Sequence, residues 1–207
     1  MPESSVGVLV KSIDEGLEEI RLQVKDRVDF IKFTADGLSR NARGELMACF
    51  NQQELSAMVE ECHRLGVKCI SHARGREAVL TSARAGVDIL FHGFEMDQEG
   101  LDAVVENGTT LSPALTFLVN TVEFTREGDP CFKWRPNMNR NDVEIASEML
   151  VEARKAGVPF MVGSDSGFAV TPYGEWHAKE LEIMVKYLGF TPGEALKCTT
   201  SENSKLL

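Results

Sequence analysis

The sequence predicts an α/β protein built on a parallel sheet, and three observations predict it. Short apolar runs alternate with stretches whose apolar residues recur at helical spacing, and glycine closes helices just ahead of strands. A strand–helix–strand unit also fills the middle of the chain, from Val67 to Gly93. In that unit VKCISHARG and VDILFHG are apolar runs that each end in a histidine, His72 and His92, while GREAVLTSARA between them has helical spacing. Such runs suit parallel strands buried on both faces. Two histidines at the C-terminal ends of neighbouring strands can converge on one metal ion. In barrels of alternating strands and helices, that end carries the chemistry.

The elements follow in order. Ser12 to Arg27 has Ile13, Leu17, Ile20 and Val24 on one stripe, with Ser12 as N-cap and Glu15 three residues on, so it predicts a helix. Asp29 to Phe33 reads as a strand closed by the polar TADG. Asn51 to Leu65 is a second amphipathic helix, with Leu55, Met58, Val59 and Cys62 inward and Gly66 as its stop. After the central unit come a helix over Asp97 to Asn107 and a short strand, Thr109 to Leu111. Ala114 to Arg140 reads as a long irregular excursion, the kind of loop that more often serves a site than packing. Asp142 to Ala156 is a helix, Pro159 to Val162 a strand leading into GSDSG, and Glu175 to Leu188 and Pro192 to Cys198 are the last helices. Five strands do not close a barrel of eight. The pattern leaves either an open doubly wound sheet or most of a barrel without its first strands.

Composition narrows the function class. The chain has 207 residues, 43% hydrophobic and 26% charged, which is one globular domain or a large piece of one. A net charge of −10 offers no basic patch for nucleic acid, and no apolar run is long enough to span a membrane. The five cysteines form no CxxC pair and predict buried reduced thiols in a reducing, cytoplasmic compartment. MPESSVGVLV has neither the charged start nor the apolar core of a signal peptide.

Four strands end in a candidate metal-site residue: Lys32, His72, His92 and Asp165. Any one of these has a bland explanation, but four at equivalent places are hard to obtain from packing alone. Imidazole suits zinc and similar divalent ions, and a carboxylate completes a hydrolytic site with one position open to water. Asp165 would hold the metal or shuttle the proton. Lysine is seldom buried unless paired or functional, and its free ammonium is no ligand, so Lys32 needs another role or a modification. Weaker candidates for substrate contact are Arg74, through its forked donors, His177 and Tyr173. Trp176, Trp134, Phe117 and Phe124 are candidates for the site's walls, and His63 reads as a surface residue of its helix.

DFIKF, SHARG with AGVDILFHG, VGSDSG, then YGE and GFTPGEALKCTT together resemble the metal-dependent amidohydrolase superfamily, in its Xaa-Pro dipeptidase (prolidase)-like and imidazolonepropionase-like branch. The resemblance runs from about Ile13 onward. It implies a partial TIM (β/α)8-type barrel, about strands 4–8 with their helices, as a single domain over 1–207. It implies Zn2+, as one or two ions, with Lys32 carbamylated as the bridge, His72 and His92 as ligands, and Asp165 as ligand and catalytic proton shuttle. The expected reaction is hydrolysis of an amide or peptide bond in a small substrate, with a homo-oligomer left open. The family's first-strand His-x-His pair has no counterpart, since the histidines are His63, His72, His92 and His177. The chain is therefore expected to lack the first strands and the terminal β-domain, and the rival expectation is a non-catalytic fragment or degenerate copy. A phosphate- or nucleotide-binding sheet is disfavoured, because neither GxGxxG after a strand nor GxxxxGK occurs.

Overall fold

The structure is a computed structural model that describes residues 7–124, 140–167 and 170–205, with the backbone alone at Leu38. Helix α1 (Ile13–Lys25) starts where the Ser12 side chain accepts the Glu15 amide. Strand β1 (Phe30–Thr34) follows. The TADG segment does more than close it: Asp36–Arg40 forms β2, paired antiparallel with β3 (Leu46–Ala48). Helix α2 (Gln52–Arg64) opens on a capping box between Asn51 and Glu54. The central unit is β4 (Lys68–Ala73), α3 (Arg76–Ala85) and β5 (Ile89–His92). Helix α4 (Gln98–Asn107) is capped by Asp97 and leads to β6 (Thr110–Ser112).

Part of the expected excursion is helical, α5 (Thr116–Phe124). Thr116, Leu118, Val119, Asn120 and Thr121 are buried on it, a mixed apolar and polar set without the clean stripe that marks a helix in sequence. The rest of the excursion, including Cys131, Trp134 and Pro136, lies outside the described residues. Helices α6 (Arg140–Lys155), α7 (His177–Leu188) and α8 (Pro192–Lys197) complete the chain, with a π turn over Cys198–Glu202.

The main sheet is parallel, in the order β1-β4-β5-β6. The expected strand at Pro159 to Val162 contributes one parallel bridge, Leu111 with Phe160, flanking β6. Consecutive strands lie side by side with helices between them, as right-handed crossovers require.

Burial differs sharply between the two faces. On β1, Ile31 and Phe33 are buried while Lys32 and Thr34 are exposed. On β4, Cys69, Ser71 and Ala73 are buried, and Ile70 and His72 are half-buried. Ser71 hydrogen-bonds Ser82 of α3 at 2.7 Å, so the buried face is the one the helices cover. Met58, Val59 and Cys62 of α2 and Val79 and Ala83 of α3 belong to the same core. Burial on both faces was the expectation. The second face of β1 and β4 carries Lys32, Thr34 and His72 in register; Lys32 and Thr34 are exposed there, while Ile70 and His72 are half-buried.

Two carboxylates tie distant elements together. Glu180 on α7 is fully buried and accepts the amides of Leu115 and Thr116 at 2.9 and 2.8 Å, plus the Thr116 hydroxyl. It thereby caps α5 from another helix. Glu61 on α2 binds Arg64 of its own helix and Arg21 of α1. Those arginines hold its carboxyl at about 2, against an ordinary 4.5.

Glu180→Ala would leave two buried amides unpaired, and the variant should lose about 3 kcal/mol of stability, read from its urea midpoint. Because the folded pKa of Glu61 is depressed, its contribution is fully present above pH 4.5 and is lost as pH falls toward about 2. Glu61→Gln should accordingly flatten the dependence of the urea midpoint on pH in that window; an unchanged slope would count against the pairing.

Candidate active site

The site assembles where the parallel strands end. His72 sits at the penultimate position of β4 and His92 ends β5. Register pairs His92 with Ala73, a residue on the covered face, so strict alternation would point the ring toward the helices. The backbone at His92 instead adopts the left-handed conformation, φ 81°, and the ring meets His72. His92 Nε2 lies 2.9 Å from His72 Nδ1, and the ring centroids are 4.5 Å apart, edge to face. Asp165, also left-handed at φ 48°, brings Oδ2 to 3.8 Å from His92 Nε2. Left-handed backbone at a non-glycine residue costs on the order of 1 kcal/mol or more and gathers at functional sites. Here it occurs at two of the four sequence-predicted residues.

Electrostatics keep His92 neutral. Its imidazole pKa is pushed well below the usual value by burial first, then by the positive side chains or rings of His72, Arg74 and Lys32; the Pro113 carbonyl opposes this weakly. Among the described residues His92 Nδ1 is buried with no partner in hydrogen-bonding geometry. A neutral ring offering Nε2 is the form that binds a metal. The donors His72 Nδ1 and His92 Nε2 are of the type that suits a divalent ion such as zinc, while Asp165 reaches His92 without closing on both rings as one ligand group. Asp165 approaches the pair through His92 and is half-buried.

Lys32 is on the same open face. Its Nζ lies 5.0 Å from the centroid of the Phe91 ring, and Phe91 is the register partner of His72. The side chain is exposed, so the difficulty of burying a lysine does not arise.

Asp36 was not foreseen as a site residue. It is fully buried, its Oδ1 is 3.4 Å from His72 Nε2, and it accepts the amides of Arg74 and Gly75 at 2.6 and 2.7 Å. Burial pushes its carboxyl up, but the bonds from His72 and the Gly75 and Arg74 amides, with the Arg74 charge, outweigh it and hold the pKa below the usual range. A carboxylate on the far nitrogen of a ligating histidine fixes its tautomer and orientation. Gly75 permits the approach: a Cβ there would stand 2.6 Å from Leu46 Cβ. In the sequence Asp36 looked like a turn residue of TADG. Glu180 was also missed, although Glu180, Ile183 and Met184 share one buried helical face, which was the available signal. Its carboxyl is raised by burial above all, and the Asp165 charge adds to the effect.

The weaker candidates divide. Arg74 turns inward, with Nε 3.3 Å from Asp36 Oδ1 and a further bond to the Gly37 carbonyl, so its fork is occupied. Tyr173 is 84% exposed and packs its phenol against Gly167, two residues past Asp165. His177 is exposed at the start of α7, and Trp176 faces Phe124 with ring centroids 6.3 Å apart.

Known proteins share this fold. A solved Xaa-Pro dipeptidase with methionine bound in its active site is 28% identical, with a TM-score of 0.77 over 97% of this chain and 48% of its own. Aspergillus niger ochratoxinase superposes with a TM-score of 0.79 at 23% identity, over 97% of this chain and 44% of its own. A prolidase complexed with N-methylphosphonate-L-proline has a TM-score of 0.79 at 20% identity, over 98% and 48%. These likenesses place the sheet and its helices as part of a (β/α)8-type barrel. An uncharacterized protein of Mycobacterium tuberculosis is 25% identical over 170 residues, 81% of this chain and 44% of that protein. The chain thus spans about half the length of the relatives it matches. The model of the Amidohydrolase family matches residues 2–207, and the chain belongs to that family.

Proposed function

We propose that this chain carries the His72–His92–Asp165 part of the active site of a metal-dependent hydrolase that cleaves amide or peptide bonds in a small substrate. The observation that carries the reading is the meeting of His72 Nδ1 and His92 Nε2 at 2.9 Å, with His92 kept neutral by its surroundings. A divalent ion of zinc type would polarise the substrate carbonyl and bring the pKa of a bound water to about 7. His72 and His92 would hold that ion, with Asp36 keeping the His72 ring in register. Asp165 would take the proton of the attacking water and pass it to the leaving nitrogen, a transfer its partial exposure permits. Lys32, on the open face beside Phe91, is the residue for a carbamate, which would turn its cation into a bridging carboxylate.

The substrate class is read from relatives, among them a protein described as an Xaa-Pro dipeptidase, so dipeptides are the first compounds to try. Tyr173 and His177 are accessible for substrate contact, whereas Arg74 would first have to leave Asp36. The domain would be a single partial barrel over 1–207. The second reading, a non-catalytic remnant, draws on Asp165 reaching His92 without closing on both histidines as one ligand group.

In a dipeptide hydrolysis assay with added Zn2+, Asp165→Asn should lower kcat by about 100-fold or more with an unchanged circular dichroism spectrum. Near-normal turnover in that variant would sink the role given to Asp165, and no turnover in the unaltered chain would favour the remnant. Bound metal tests the histidine pair separately. His92→Ala should hold one equivalent of Zn2+ fewer than the unaltered chain by plasma mass spectrometry; equal occupancy would remove His92 from the ligand set.

A further inference from the structure

A second cluster of metal-binding side chains sits at the other end of the same sheet. His63 is in the last turn of α2, Cys69 is the second residue of β4, and Asp88 immediately precedes β5. Their ligand atoms all lie within 4.8 Å of one another, and among the described residues this is the group that meets that criterion. His63 Nε2 is 2.9 Å from Asp88 Oδ2, Cys69 Sγ is 3.5 Å from the same oxygen, and Cys69 Sγ is 3.8 Å from His63 Nε2. Zn–N and Zn–O bonds near 2.0 Å and a Zn–S bond near 2.3 Å would give tetrahedral edges of about 3.3–3.6 Å between such atoms. The observed triangle is already close to those edges. Asp88 Oδ2 is further fixed by the Cys69 amide at 2.8 Å.

A second sulfur neighbours Cys69. Cys62 precedes His63 on α2, is fully buried, and its thiol interacts with that of Cys69. The Cys62 side chain, then burial, keep the Cys69 thiol protonated, so the cluster presents an imidazole, a carboxylate and an ionisable sulfur. The thiol proton would leave to solvent when a cation enters. Entry is open, because the His63 and Asp88 side chains are 44% and 27% exposed while both cysteines are buried.

We propose that His63, Cys69 and Asp88 form a three-ligand site for a thiophilic divalent cation such as Zn2+, with the fourth position left to solvent. The site pins the C-terminus of α2 to the N-terminal ends of β4 and β5. It lies at the strand ends opposite His72 and His92, shares no residue with them, and needs no catalytic activity.

The test is a titration of the purified, metal-free chain with Co2+, a spectroscopic stand-in for Zn2+, followed by near-ultraviolet and visible absorption. Thiolate-to-cobalt charge transfer reports sulfur ligands, which the His72–His92 pair lacks. The expected result is a charge-transfer band that saturates at one equivalent, bleaches on adding Zn2+, and persists in His92→Ala. Cys69→Ser should abolish it, and His63→Ala, on a side chain 44% exposed, should weaken Co2+ binding by at least about 10-fold with an unchanged circular dichroism spectrum. Absence of the band would overturn the proposal. So would a band that survives unweakened in His63→Ala, or one lost in Cys49→Ser but retained in Cys69→Ser.

Discussion

The carboxylate of Asp36 is the constraint on which the rest of this site depends. It is fully buried, and its cost is met by the Arg74 and Gly75 amides, the Arg74 guanidinium and the His72 ring. A buried charge persists only when paired and hydrogen-bonded. Every one of those partners therefore fixes something else. The two amides lie at the N-terminal end of α3, so Asp36 anchors the helix that covers β4. The contact to His72 sets the ring that faces His92. The β2–β3 hairpin, which looks peripheral in topology, is thus the support that positions a histidine on another strand.

The same logic explains why the backbone departs from ideal geometry where it does. His92 has to leave the covered face to reach His72, and its left-handed φ accomplishes that in one residue. Asp165 turns by the same means. Ala114, which follows β6 with φ 47°, delivers the Leu115 and Thr116 amides to Glu180. Three strand-end turns of one kind thus place two site residues and one buried cap. Glu180 over-determines the third, so the strain at Ala114 is held by hydrogen bonds rather than by packing alone.

Much of this was legible in the chain. Alternation of apolar runs with helical stretches gave the parallel order of β1, β4, β5 and β6, because each element's period reflects the face it buries. The strand-end positions of His72 and His92 could be read for the same reason. What escaped depended on contacts far apart in sequence. Asp36 and Arg74 are 38 residues apart, and Glu180 and Leu115 are 65 apart, so neither pairing leaves a local pattern. The hairpin escaped because β2 is polar and β3 is only three residues long, and α5 because its buried face mixes threonine and asparagine with leucine and valine. Alternation on β1 was visible, but burial on both faces did not follow from it: Lys32 and Thr34 are exposed on the second face.

Strand β4 joins two chemically different ends. Cys69 and His72 are three residues apart, about 10 Å along an extended strand, and they point to opposite faces. His72 belongs to the open face and to nitrogen and carboxylate partners that suit a hydrolytic ion. Cys69 belongs to the helix-covered face and to thiol, imidazole and carboxylate partners that suit a thiophilic one. The separation lets each end follow its own requirement. The end that carries His72 is the more open, with Lys32 and Thr34 exposed on its face, and the end that carries Cys69 lies where the last turn of a helix meets the strand. Parallel topology supplies both at once, since every strand presents its C-terminal end to the chemistry and its N-terminal end to the helix that precedes it.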